Sequence, residues 1–257
     1  MAAASRERNR LNEDRVRKAT NALLKWKKKK SLLSNSNGGD DEEEGEESDD
    51  FIYLSITLKK VPPRNLTLAP HRILLRHPLL SQDYSSLNIC LIVDGKRITA
   101  ESAQKILVGQ GIPYVKQVLK LSKVKSDYNS FESKRNLYDS FDVFLADRRV
   151  VDLLPKVLGR VFYKKRKKIP VAVELGGGGG WKEEIERACK SSLLCLSSGS
   201  CSAVRVGRNA MKAEEIVENV FDAVDGVAGI VPKKWGGIKC LHLKFCDSLA
   251  LPLYAEE

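Results

Sequence analysis

Five consecutive glycines, Gly176 to Gly180, stand between the apolar run IPVAVEL and the segment WKEEIERACK. Strand, glycine loop and helix in that order can cradle a phosphate, because backbone N–H groups and the helix N-terminus point at the anion. The detail argues against that chemistry. A phosphate loop of the G-x-x-x-x-G-K-[ST] kind needs Lys followed by Ser or Thr, and counting five on from Gly176 reaches Trp181. A dinucleotide fingerprint is contained in any polyglycine, and it opens the first strand–helix unit of its sheet, whereas this run follows the last strand. Five glycines also lack preorganisation. The run is therefore expected to be a joint, and no cofactor is expected.

Two other groupings could do chemistry. Cys240, His242 and Cys246 would share one face of a strand, because strand side chains alternate, but Lys244 stands between them and no fourth ligand is evident. No metal site and no catalytic constellation follow; the chain reads as a non-enzyme. The cations are more informative. FYKKRKKIP holds five in succession, Lys164, Lys165, Arg166, Lys167 and Lys168. Such a cluster can neutralise phosphates and release counterions, and it has equally the composition of a nuclear-import signal or of a solvated charge run. Arg205 and Arg208 are expected to flank a turn after AVRVG, and Lys96 and Arg97 follow an apolar strand. These, with Lys244, are the candidate nucleic-acid-binding residues. Aromatic interleaving of the kind that stacks bases on a sheet is not evident, so recognition is expected to go through shape and backbone.

The bulk composition agrees. The 257 residues carry 44 Lys and Arg against 33 Asp and Glu, a net charge of +11. The first fifty residues hold 11 basic and 12 acidic side chains, so the excess lies in the remainder. A basic globular body attracts polyanions, nucleic acid foremost. Six cysteines without a C-x-x-C pair suggest free thiols in a reducing compartment. The start MAAASRERNRLNEDR has no apolar h-region and no 18-residue apolar run occurs, so a soluble intracellular protein is expected, without membrane contact.

Val16, Ala19, Leu23 and Trp26 recur at helical spacing, predicting a helix from Val16 to Lys30. SNSNGGDDEEEGEESDD, residues 34–50, is acidic and nearly free of apolar side chains, and is expected to be a disordered loop. FIYLSITLKK and HRILL predict strands. LNICLIVD, YVKQVLKL, DVFLADRR and IPVAVEL predict further strands. They alternate with helices at TAESAQKILVGQGI (capped by Thr99), FESKRNLYDSF and VVDLLPKVLG. That alternation implies a parallel sheet with helices on its faces. Beyond the glycines come a helix from Trp181, a strand pair in LLCLSSGSCSAVRVG joined as a hairpin, a long helix MKAEEIVENVFDAV and a final strand IKCLHLKF. FIYLSITLKK is expected to pair with these late strands, which makes the first domain discontinuous.

SGSCSAVRVGRNAMKAEEIVENV resembles the second half of ribosomal protein L1. VRKATNALLKW, LNICLIVD, SFDVFLADRRVVDLLPKVLGRVFYKKRKKIPVAV and ALPLY are closer still to the eukaryotic nucleolar ribosomal L1 domain-containing proteins. The resemblance covers roughly residues 14–254. It implies an α/β chain with a two-domain L1-like fold. Residues 1–13 are expected to be a disordered basic tail, and 14–84 and 181–257 to form a discontinuous α+β domain. A Rossmann-like α/β domain is inserted at 85–175, with Gly176, Gly177, Gly178, Gly179 and Gly180 as hinge. It implies binding to rRNA or pre-rRNA in the nucleus and nucleolus, beside the proteins of a pre-ribosomal particle, by a monomer inside that larger assembly. A protein-interaction scaffold or a constituent of the large subunit are the other readings. Val204–Gly207 keeps the family's V-R-V-G, which carries over Arg205. Where ribosomal L1 has Thr-Met-Gly close to RNA, this chain has Cys246-Asp247-Ser248. Asp247 would set a negative charge against a phosphate backbone there.

Overall fold

The computed structural model describes residues 11–36, 51–67, 70–80, 87–163, 168–176 and 180–256. The chain divides into two compact units, one from residues 1–79 and 190–257, the other from Leu80–Cys189.

In the first unit, helix α1 (Glu13–Ser36) runs six residues past its expected end and into the segment read as a loop; residues 37–50 lie outside the described residues. Strand β1 (Phe51–Leu58) alternates strictly, burying Ile52, Leu54, Ile56 and Leu58. After a single turn, α2 (Arg64–Thr67), comes β2 (His71–Leu74). The second unit holds β3 (Ile89–Val93), α3 (Ala100–Gly109), β4 (Val115–Lys120), α4 (Leu121–Asp127), α5 (Phe131–Ser140) and β5 (Val143–Asp147). There follow α6 (Arg148–Val151), α7 (Leu154–Leu158), α8 (Arg160–Tyr163), β6 (Val171–Val173) and α9 (Trp181–Cys189). The chain then returns to the first unit with β7 (Ser191–Leu194), β8 (Cys201–Arg208), α10 (Ala213–Ile230), a 3₁₀ turn at Lys234–Gly237, β9 (Ile238–Lys244) and β10 (Leu251–Ala255).

The first unit is built on an antiparallel sheet in the order β10-β9-β1-β8. β1 sits between two late strands, as its sequence led one to expect. Its buried face shares one apolar cluster with Val16 and Leu23 of α1 and Val220 and Val224 of α10. The expected hairpin in LLCLSSGSCSAVRVG does not form. β7 pairs antiparallel with β2, Leu194 opposite His71, and β8 pairs with β1. Ser197 Oγ donates to the Cys201 carbonyl oxygen and the Ser202 hydroxyl accepts from the Ser197 N–H, so the intervening loop is closed by side chains and not by a strand ladder. The final strand is β10 and not β9; Pro252 disguises it, because proline has no N–H for a central ladder and is tolerated at this sheet edge.

The second unit has a four-stranded parallel sheet ordered β4-β3-β5-β6. Every residue of β3 and β5 is buried, as expected for central parallel strands covered on both faces. Thr99 caps α3, its hydroxyl accepting from the Ser102 N–H, as the sequence predicts. The single helix expected over VVDLLPKVLG is two short ones, because Pro155 cannot supply an interior N–H and instead occupies the first turn of α7. α9 packs within this unit, and the chain leaves it after Cys189 rather than at the glycines. Trp181 Nε1 donates to the Gly176 carbonyl oxygen and the Lys182 N–H to Gln110 Oε1. Of the expected hinge, 177–179 fall outside the described residues.

Lys168 has a structural duty here. Its ammonium donates to the carbonyl oxygens of Tyr138 at 3.1 Å and Phe141 at 2.8 Å, and lies 4.9 Å from the Tyr138 ring centre. These carbonyls belong to the last turn of α5 and its exit, where a cation also complements the helix dipole. Replacing Lys168→Met should lower the stability of this unit by about 1–2 kcal/mol, read as a shift in the urea midpoint of its Trp181 fluorescence, with no selective loss of RNA affinity.

Candidate nucleic-acid interface

The strict alternation of β1 leaves Phe51, Tyr53, Ser55 and Thr57 on the face away from the core, each partly exposed. The antiparallel registers set neighbours beside them. Tyr53 lies between Arg205 of β8 and Lys244 of β9, and Ser55 lies between Ala203 and His242. Simple alternation would send Arg205 and Arg208, three residues apart, to opposite faces. The register of β8 against β1 slips between Ile52, opposite Gly207, and Tyr53, opposite Arg205. Val206 is thus the extra residue of a bulge. The bulge absorbs one step, so Arg205 and Arg208 emerge on the same face while Val204, Val206 and Gly207 are buried. Both guanidinium carbons lie 4.5 Å from the centre of the Phe51 ring. The two arginines therefore sit inside β8 and do not flank a turn. Gly207 is required here because a Cβ would come within 2.8 Å of Ile216 on α10.

At one end of this sheet the exit of α1 meets the β9–β10 turn. Trp26 packs near Phe245, Lys27 lies over the Phe245 ring and Lys30 over Trp26. Lys30 makes an ion pair with Asp247, whose carboxyl is held below the usual range, chiefly by the Lys30 hydrogen bond. The Ser248 hydroxyl accepts from the Phe245 N–H and donates to the Leu249 carbonyl oxygen, closing the turn. The negative charge expected to face a phosphate backbone is thus paired within the protein. Both side chains are substantially exposed, 53% and 39%, so the pair contributes at most about 1 kcal/mol. Because the folded carboxyl is depressed, that contribution is complete above the unfolded pKa of about 3.9 and fades as pH falls through the lower folded value. Asp247→Asn should therefore narrow the urea stability difference from wild type as the pH is lowered through this range.

A sequence profile of the ribosomal protein L1p/L10e family matches residues 23–249. The chain belongs to that family. Among L1-family relatives, it is 32% identical over 210 residues to mouse (Mus musculus) "Ribosomal L1 domain-containing protein 1", covering 80% of this chain and 45% of the relative. It is 34% identical over 207 residues to a "Putative ribosome biogenesis protein" of Schizosaccharomyces pombe, covering 79% and 54%. "Large ribosomal subunit protein uL1" of Drosophila melanogaster matches at 28% over 113 residues, 43% of this chain and 49% of the relative. The chain spans about half the length of these relatives.

Of the candidate residues in this L1-family chain, the fold brings together Arg205, Arg208 and Lys244. Lys96 and Arg97 are exposed in the loop after β3, within the other unit. Lys164, Lys165, Arg166 and Lys167 lie outside the described residues. The sequence reading missed Phe51, Tyr53 and His242, although alternation in FIYLS already placed the two aromatics on one face. Cys240 and His242 do share that face, but Cys246 lies beyond the end of β9 in the following turn. No group of three or more His, Cys, Asp or Glu among the described residues is arranged to hold a metal ion. Among the same residues no helix is long and apolar enough to cross a membrane.

Proposed function

We propose that this protein binds structured RNA through the open face of its antiparallel sheet and acts on pre-rRNA in ribosome biogenesis, without covalent chemistry. The observation that carries the reading is the row Arg205–Tyr53–Lys244, with Arg208 and Phe51 beside it. Guanidinium and ammonium groups neutralise phosphates, and exposed aromatic and guanidinium planes accept unstacked bases. The names of the mouse and fission-yeast relatives, an L1-domain protein and a ribosome biogenesis protein, support the setting, and with it a nuclear and nucleolar location. They match over 207–210 residues, against 113 for the large-subunit protein. Lys164, Lys165, Arg166 and Lys167 are proposed as a further electrostatic contact or import signal.

The test has two parts. Fluorescence anisotropy with pre-rRNA fragments should show affinity falling steeply with salt, each phosphate neutralised adding about −0.7 to −0.9 to the log–log slope. In-cell ultraviolet crosslinking should give sharp peaks on precursor rRNA, including transcribed spacers. Peaks confined to mature large-subunit helices would instead make the protein a ribosome constituent. A flat salt dependence with no reproducible crosslinks would overturn RNA binding in favour of a protein-interaction scaffold.

A further inference from the structure

The strand order β4-β3-β5-β6 contains one place where connections leave in opposite directions. From β3 the chain passes through α3 to β4 on one side, and from β5 it passes through α6 to α8 to β6 on the other. In open parallel sheets the loops diverge at such a point, leaving a crevice outside the carboxyl ends of the strands, and small ligands bind there. This unit has that crevice. A cavity of about 400 Å³ is lined by Arg97 and Ile98 after β3, Ile106 and Gln110 of α3, Arg149 after β5, Leu175 and Gly176 after β6, and Trp181 of α9.

The lining has two chemistries. Arg148 is engaged by Glu174 at 2.8 Å, and Asp147 accepts from the Arg149 N–H, which fixes the start of α6. Arg149 lines the cavity together with Arg97, and neither has a carboxylate partner among the described residues. Two planar five-donor cations at one concave site match the oxygens of a phosphate. The rest of the lining is apolar: Ile98 and Ile106 are accessible, while Leu175 and Trp181 are buried beneath, the indole held by its bond to the Gly176 carbonyl. Gln110 spends its carbonyl oxygen on the Lys182 N–H and keeps its NH₂ as a donor at the wall.

We infer that this crevice is a binding site for a nucleotide, with Arg97 and Arg149 on the phosphate and the base against Ile98 and Ile106, over a floor closed by Trp181. Of the described residues after β6, Leu175 and Gly176 form part of the lining. A free mononucleotide and an exposed nucleotide of an RNA strand offer the same groups. Binding here does not depend on the sheet face of the first unit.

The full chain, labelled with ¹⁵N, would be titrated with AMP, with adenosine and with a single-stranded oligonucleotide, following amide and indole resonances. AMP should give saturable shifts at Ile98, Gln110, Leu175, Gly176 and the Trp181 indole. Arg97→Gln and Arg149→Gln should each weaken AMP by about tenfold, and adenosine should bind at least about tenfold more weakly than AMP. Both arginines are exposed, so the unperturbed remainder of each spectrum reports an intact fold. Displacement of AMP by the oligonucleotide would identify RNA as the source, and failure to displace it a free nucleotide. Absence of AMP shifts at these residues at millimolar concentration would overturn the site, as would equal binding of adenosine or unchanged affinity in both variants.

Discussion

Replacing Arg205, Arg208 and Lys244 together by glutamine is expected to weaken binding of structured RNA by about a hundredfold near 0.1 M salt, and to reduce the salt slope by about two to three units. The three cations stand on the two strands that flank β1, on either side of Tyr53 and Phe51, so they would meet one stretch of backbone together. Sheet pairing is made by main-chain groups, which glutamine leaves intact. The arginine contacts to Phe51 contribute only about 0.5–1 kcal/mol each at an exposed site, so the triple variant should still fold. Circular dichroism would check the fold, and anisotropy across a salt series would read the effect. An unchanged affinity and slope would remove the sheet face from the RNA site.

Asn219→Leu is expected to cost about 3 kcal/mol or more, the largest single-residue stability effect proposed for this chain. Asn219 is fully buried in α10. Its amide donates to the carbonyl oxygens of His77 at 2.9 Å and Val206 at 3.0 Å, and its oxygen accepts from the His77 N–H at 3.0 Å. Leucine fills a similar volume but strands two carbonyls and one N–H away from water, at about 1–3 kcal/mol per group. The loss reaches the interface as well, because Val206 is the bulge residue that turns Arg205 and Arg208 to one face. Hydrogen exchange should accelerate in β8 ahead of the parallel-sheet unit. A protection pattern equal to wild type would show that the three bonds carry no net stability.

Much of the local structure was legible in the residues. Alternation over FIYLSITL specifies a half-buried strand and names its core side. The four apolar strands from Ile89 to Val173, alternating with helices, specify a parallel sheet, and Thr99 announces the helix that follows it. Composition alone points to a polyanion. What was missed has identifiable causes. β10 carries a proline, α4 follows β4 without any breaker, and Pro155 divides a helix whose apolar spacing reads as continuous.

The candidate interface was legible only in part. Arg205, Arg208 and Lys244 could be nominated by charge, because charge is a property of the residue. Their gathering could not, because it follows from which strands pair, in what register, and from one extra residue at Val206, beside Gly207 where Ile216 leaves no room for a Cβ. Lys168 shows the converse: five like charges in a row look equivalent, yet packing against α5 assigns this one to two carbonyls. Asp247 likewise changes meaning once Lys30, 217 residues away in sequence, neutralises it. Periodicity and composition act over a few neighbours and are written in the chain. Register, ion-pair partners and the shared face of distant strands are decided by long-range burial, which only the tertiary structure displays.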